Sequence, residues 1–315
     1  MGIVVNNPGA LTTVQDLGRI GYQQFGVSVS GVMDPRATSL ANCLVDNPED
    51  EAVLECTLMG PELQFETGNV IAITGGDLQP MIDGQPVANY RAHYVKEGQV
   101  LRFAGPKTGL RAYIAFAGGL DIPAVMGSRS THMKAKIGGY QGRKREKGDA
   151  IGFRSPKETL PHMASHMMSP EFKPRTEYTL RVVMGPQDDM FTEDGIRTFL
   201  SEQYVLTPEF DRMGCRLEGP LIAHKDTGDI ISDGIAFGAI QVPSSGKPII
   251  MAADRQTTGG YTKIATVISA DFRILAQLKA GDHVRFERVG IEEAQKALLT
   301  QRNVIRFFRY VFNTM

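Results

Sequence analysis

Residues 110–119 read Leu-Arg-Ala-Tyr-Ile-Ala-Phe-Ala-Gly-Gly. A short run rich in aromatic and branched apolar side chains, ended by a glycine pair, reads as a buried strand. The same grammar recurs on both sides of it. Residues 70–74 are closed by Gly75-Gly76, 99–104 by Gly105-Pro106, and 178–184 by Gly185-Pro186. Residues 247–252 and 264–268 complete the set. Asp83-Gly84, between Met81-Ile82 and Pro86-Val87, has the composition of a hairpin turn.

Helices are fewer. Asp34-Pro35 supplies an N-cap followed by a first-turn proline, and Ala37, Leu40, Ala41 and Leu44 then follow one helical face. Ile196, Phe199 and Leu200 suggest a second, shorter helix. Ser269 is placed to cap a third, with Phe272, Leu275 and Ala276 inward and Gly281 just past its end. A fourth begins near Ile291. Dominant strands with scattered helices favour β-barrels or sandwiches over a doubly wound α/β sheet.

The chain has 315 residues, enough for two domains at about 150 residues each. Residues 154–176 carry four prolines, two histidines and three methionines with little periodicity. They are the expected linker between an N-terminal domain, 1–153, and a C-terminal domain, 177–290, followed by a tail, 291–315. Lys147-Gly148-Asp149-Ala150-Ile151-Gly152-Phe153 is weakly echoed by Ala280-Gly281-Asp282-His283-Val284-Arg285-Phe286, a hint of duplicated architecture. The tail concentrates seven apolar side chains between Val304 and Phe312. It is expected to form a helix and a strand packed on the second barrel or on a neighbouring subunit, not on a membrane.

Apolar residues at 42% and charged residues at 22% exclude a disordered or fibrous chain. Lys plus Arg is 34 and Asp plus Glu is 35, so the formal charge is −1 and nucleic acid is not an expected partner. No window approaches the ~18–20 apolar residues of a membrane span. The first residues lack the basic and apolar regions of a signal peptide. Cys43, Cys56 and Cys215 have no C-x-x-C spacing and read as buried hydrophobes, without a disulfide or a zinc site. His162 and His166 are four apart, but in the proline-bounded segment, so no metal site is expected. A cytoplasmic location fits these features.

Three glycine-spaced polar stretches are candidates for chemistry. Residues 12–34 contain Gln15, Asp16 and Arg19, which suit a ligand or partner but equally a turn-rich connection with a surface Asp–Arg pair. Residues 127–143 combine glycines and hydroxyls with arginines, Ser128 and Arg129 among them. That composition can cradle an anion, or can simply be a solvated loop. Residues 232–266 place polar groups at strand ends and glycine turns, where sites on β scaffolds are usually built. No nucleophile elbow, paired-carboxylate signature or phosphate loop is present.

Three motifs carry a family likeness: Thr13-Val14-Gln15-Asp16-Leu17-Gly18-Arg19, Ser30-Gly31-Val32-Met33-Asp34, and Asp254-Arg255-Gln256-Thr257-Thr258-Gly259-Gly260-Tyr261. Together they resemble the allophanate hydrolase subunit 2 family, over about residues 3–290. That family includes the C subunits of 5-oxoprolinase, the Kip-inhibitor antagonist type, and part of the carboxyltransferase domain of urea carboxylase. The resemblance implies two cyclophilin-like β-barrel domains with a few inserted helices, a mostly β fold. It implies a partner, the B subunit of 5-oxoprolinase (allophanate hydrolase subunit 1, Kip-inhibitor type), and with it an A subunit of the LamB/YcsF type. The activity it points to first is ATP-dependent opening of 5-oxo-L-proline to L-glutamate by the complex, with this chain inactive alone. The alternatives are a carboxyltransferase subunit of a biotin-dependent urea or amide carboxylase, and a regulatory antagonist of a sensor-kinase inhibitor. No cofactor is expected on this chain; ATP serves the complex, and biotin enters only under the carboxylase alternative. On this reading Asp254, Arg255 and Gln256 are the expected catalytic residues. Ser232, Asp233, Gln241 and Thr258 line the same cleft, and Ser128 and Arg129 add substrate contacts.

Overall fold

The computed structural model describes residues 2–170 and 172–314. It is mostly β, as expected. Two compact units interleave in sequence: the first holds residues 1–20, 30–174 and 301–315, the second 21–29 and 175–300. The segment 154–174 belongs to the first unit and is no free connector. Leu160 is buried there and Met163 and Met168 pack on the same core, because the stretch carries apolar side chains between its prolines.

The first unit is built on two antiparallel sheets. One runs in the order Ala150–Gly152, Gly2–Asn7, Glu62–Phe65, Val100–Phe103, Pro80–Ile82, Gln85–Pro86. The other runs Leu11–Gln15, Val53–Thr57, Thr108–Phe116, Asn69–Asp77, Ala92–Val95. Ile3, Val5, Leu63 and Phe65 of the first sheet meet Leu54, Ile73, Ile114 and Phe116 of the second in one core. The strand Thr108–Phe116 accounts for its apolar run from Ala112 to Phe116, because both of its faces are buried. Ala112, Ile114 and Phe116 enter this core, while Tyr113 and Ala115 join a second core with Ala37 and Ala41. Those alanines lie on helix α1 (Pro35–Leu44), capped by Asp34, whose carboxylate accepts the Ala37 N–H at 2.9 Å. Asp83 and Gly84 both have positive φ, 47° and 80°, the requirement of a two-residue hairpin turn.

The second unit closes on itself. Its strands follow the order Glu177–Met184, His283–Arg288, Tyr204–Phe210, Gly214–Glu218, Ile249–Met251, Ala239–Val242, Thr258–Val267. The last of these returns to pair with the first, so the sheet is a barrel. Asp229–Gly234 adds an outer edge on Thr258–Val267. Helix α2 (Glu193–Ser201) starts at Thr192, whose hydroxyl accepts the Gly195 N–H at 2.9 Å. Helix α3 (Phe272–Leu275) is a single turn that buries Phe272 and Leu275.

Helix α4 (Ile291–Thr314) corrects the expectation for the tail: it is one helix of 24 residues with no strand. The reason lies in the spacing of Ile305, Phe308 and Phe312, three and four residues apart on one helical face. Ile305 packs with Leu40 and Tyr90. Phe312 joins the core of α1 and stacks on His166, ring centroids 4.5 Å apart. These anchors are therefore buried within the chain's own first unit, whereas Phe307 and Tyr310 remain 60% and 68% exposed. Phe312→Ala is expected to cost about 3–4 kcal/mol in denaturant unfolding. Phe307→Ala should stay within about 0.5 kcal/mol of the parent.

Candidate binding site in the second unit

The site begins with a turn. Asp211 accepts the N–H groups of Met213 and Gly214 at 2.7 and 3.1 Å, tightening the link between Tyr204–Phe210 and Gly214–Glu218. The turn buries Arg212 against Asp254. The guanidinium grips the carboxylate with Nε–Oδ2 and Nη2–Oδ1 both at 3.0 Å, and the side chains are only 3% and 6% exposed. The backbone repeats the clamp: the Asp254 N–H donates to the Arg212 carbonyl at 2.6 Å and the Ala252 N–H to the Met213 carbonyl at 2.9 Å. A bidentate pair out of water fixes geometry strongly. Asp254 thus ties the 252–256 loop to the 211–214 turn.

Arg255 is also buried, and it braces the same loop. Its Nε donates to the Ile235 carbonyl at 2.8 Å, and Nη1 reaches the Ala252 and Ala253 carbonyls at 3.4 and 3.5 Å. The guanidinium carbon sits 5.8 Å from the Phe237 ring centroid. Burial pushes its pKa down to about 10, with the Asp254 charge opposing, so it stays cationic at neutral pH. The distant segment 21–29 supports this loop from the other side. The Ser28 hydroxyl donates to the Arg255 carbonyl at 2.9 Å, and Gln23 Nε2 to the Ile235 and Thr257 carbonyls at 3.1 and 3.3 Å.

Above the clamp lies an open pocket of about 450 Å³. Glu209, Asp211, Arg216, Gln241, Gln256 and Tyr261 supply its polar lining, and Met213, Ile249 and Met251 much of its apolar wall. That volume suits a small molecule. The structure therefore brings two of the expected residues, Gln241 and Gln256, into one pocket lining, while Asp254 and Arg255, expected to be catalytic, are buried outside that lining in the adjoining loop. Ser232, Asp233 and Thr258 sit instead on the exposed outer edge, where Asp229–Gly234 pairs with Thr258–Val267. Asp233 accepts Lys263 Nζ at 2.8 Å. That bond and the Gly234 N–H hold its carboxyl below the usual range.

Ser128 and Arg129 belong to the first unit, where the expected anion cradle is filled by the chain itself. The Ser128 hydroxyl donates to Asp16 at 2.7 Å, and the Ser130 hydroxyl and Arg129 N–H point to the same carboxylate. The Arg129 side chain donates to the Ile122 carbonyl at 2.9 Å. Asp16 and Arg19 are buried, not a surface pair. Sequence reasoning misses Arg212 altogether, and it shows Gly259 and Tyr261 only as members of a motif. The Asp-Arg-Met-Gly turn is visible as turn composition, but its pairing with a residue 42 positions away is not.

The barrel and its pocket define a class. The chain belongs to the carboxyltransferase domain family, subdomains A and B, whose model matches residues 25–288. Among curated relatives, the C subunit of the Haemophilus influenzae 5-oxoprolinase is 36% identical over 297 residues, 93% of this chain and 92% of that one. Its Escherichia coli counterpart, again a 5-oxoprolinase C subunit, is also 36% identical, over 93% of each chain. The crystal structure of the Kluyveromyces lactis urea amidolyase matches with a TM-score of 0.90 at 30% identity, over 98% of this chain and 20% of that chain.

Arg212→Ala is expected to cost about 3–5 kcal/mol by leaving the Asp254 charge buried and unpaired. The double change Arg212→Met with Asp254→Leu should recover most of that loss. Chemical denaturation of the three variants reads both effects.

Proposed function

We propose that this chain is the C subunit of an ATP-dependent 5-oxoprolinase, a hetero-oligomeric hydrolase that opens 5-oxo-L-proline to L-glutamate together with its A and B subunits. The observation that carries this reading is the 36% identity to two 5-oxoprolinase C subunits along nearly the whole length of both chains. The pocket agrees with it in chemistry. Gln241 and Gln256 offer carboxamides, which match the N–H and C=O of a lactam, and the apolar wall matches its ring methylenes. In the reaction the lactam C–N bond breaks, water supplies oxygen to the carbonyl carbon, and the ring nitrogen leaves as an amine. This chain's contribution is to bind and orient the ring; Asp254 and Arg212 hold the loop that does so.

The pocket does not fit a nucleotide. It contains the carboxylates Glu209 and Asp211, and its guanidinium, Arg216, pairs with Glu209 at 3.2 Å. Such a lining repels a triphosphate. This reading places ATP use and turnover in the assembled complex, with no cofactor on this chain. Among the described residues no helix is long and apolar enough to cross a membrane, and a cytoplasmic complex is the setting proposed.

A second reading follows from the TM-score of 0.90 to urea amidolyase: a carboxyltransferase subunit of a biotin-dependent urea or amide carboxylase. Mixing the chain with the A and B subunits and assaying glutamate from 5-oxo-L-proline separates the two. ATP-dependent glutamate from the mixture, with none from the chain alone, is the expected result. No glutamate, but carboxylation of urea when a biotin carboxylase and its biotin carrier are supplied, would replace the first reading by the second.

A further inference from the structure

We propose that the turn Val125–Ser128, with Ile20 at its side, is a preformed docking knob on the first unit, and that it takes a protein presenting an apolar recess rimmed by carboxylates. The proposal deepens the 5-oxoprolinase reading and rests on it for what that partner is, another subunit of the same complex.

Pro123, Ala124, Val125 and Met126 are four consecutive apolar residues, and all four are exposed. Met126 is 42% exposed and Ile20 76%. A run of exposed apolar side chains does nothing for the fold that carries it and favours association. The backbone at its tip is strained as well. The Val125 N–H donates to the Ser128 carbonyl at 2.8 Å, and the Ser128 N–H to the Val125 carbonyl at 3.2 Å, closing a two-residue turn. Met126 and Gly127 within it have φ of 52° and 74°. Asparagine, aspartate or glycine suits the first of these positions; methionine does not. An apolar tip is kept here at the expense of local stability.

The tip is also held firmly. Arg19 is fully buried, and its Nε donates to the Val125 carbonyl at 3.0 Å and its Nη2 to the Ser130 carbonyl at 2.9 Å. That contact brings Ile20, the next residue, to the side of the turn. Asp16 accepts the hydroxyls of Ser128 and Ser130 and the Arg129 N–H. Two buried charged residues thus direct their hydrogen bonds to an exposed turn. A surface fixed in this way loses little freedom on association.

Charge defines the partner. Residues 121–147 contain seven Lys and Arg against Asp121 and Glu146, in a chain of formal charge −1. Arg143 and Arg145 are taken up by Asp149. Lys134 and Lys136 are exposed in the turn that His132 and Ile137 close, and no ion pair engages either among the described residues. An apolar tip on a loop with two uncompensated lysines complements an apolar recess with an acidic rim. A membrane surface calls for a broader apolar face and a larger basic cluster than this turn supplies.

Biolayer interferometry of the full chain against the isolated A and B subunits tests this. The parent chain should bind one of them. Met126→Asn, which suits the turn, should melt at or above the parent temperature yet weaken that binding about tenfold or more. Ile20→Ser should weaken it in the same direction and serves if the turn variant does not fold. Lys134→Glu with Lys136→Glu should slow association and flatten its dependence on salt. A folded Met126→Asn chain that binds at the parent affinity would overturn the proposal, as would a parent chain that binds neither subunit. Met126-dependent binding to phosphatidylserine vesicles, or Met126-dependent self-association in the ultracentrifuge, would overturn it in favour of a membrane or a second copy. The two readings fail separately. Met126-dependent assembly with no glutamate from the reconstituted complex sinks only the 5-oxoprolinase assignment. Glutamate from a complex that Met126→Asn assembles at the parent affinity sinks only the docking role of the turn.

Discussion

Val182, Val183 and Met184 pair with Val267, Thr266 and Ala265, and this short ladder closes the sheet of the second unit. On its other side the same strand runs parallel to His283–Arg288. Closure satisfies edges that would otherwise expose unpaired backbone groups, and it obliges strands to tilt and bend. The bends show as register slips between Leu206 and Phe210 and between Ile240 and Gln241. Phe210 and Gln241 both line the pocket. The pocket thus lies along a wall that closure obliges to curve.

Buried polar groups divide into two kinds. Asp16 is surrounded by Ser128, Ser130 and the Arg129 N–H, and Arg212 with Asp254 forms a closed bidentate pair. Fully matched groups of this kind give a loop one conformation and leave little to bind anything else. Gln241 Nε2 is of the second kind, enclosed yet without a hydrogen-bond partner, and so are Gln15 Oε1 and the Tyr204 hydroxyl. A motif cannot show this distinction, because both kinds look alike in sequence.

Local features were readable from the chain. The cap at Asp34, the turn at Asp83-Gly84 and the strand at 108–116 each depend on residues within a few positions of one another. The likeness of three motifs was enough to give the family. What was not legible depends on long-range pairing. Nothing near Gly21–Val29 says that it belongs with residues 175–300, since its ties are hydrogen bonds to carbonyls more than two hundred residues away. The tail reads as helix plus strand because Phe307, Phe308 and Tyr310 have strand-like composition. Packing of Ile305 and Phe312 on one face decides for helix over that propensity. Within the site, the sequence pointed to Asp254 but not to Arg212, the partner 42 positions away that its carboxylate engages.

The burial of Ile305 and Phe312 against Leu40, Tyr90 and Val45 also sets an order in time. During synthesis the sheets of the first unit and α1 leave the ribosome early, and residues 175–300 follow before 305–312 appear. The unit made first is therefore the last to be finished: it waits with one side of α1 uncovered while the barrel downstream is translated and closes. Vectorial folding usually completes N-terminal cores first. Here the chain reverses that sequence, and one face of the first unit's core is covered only when residues 305–312 arrive.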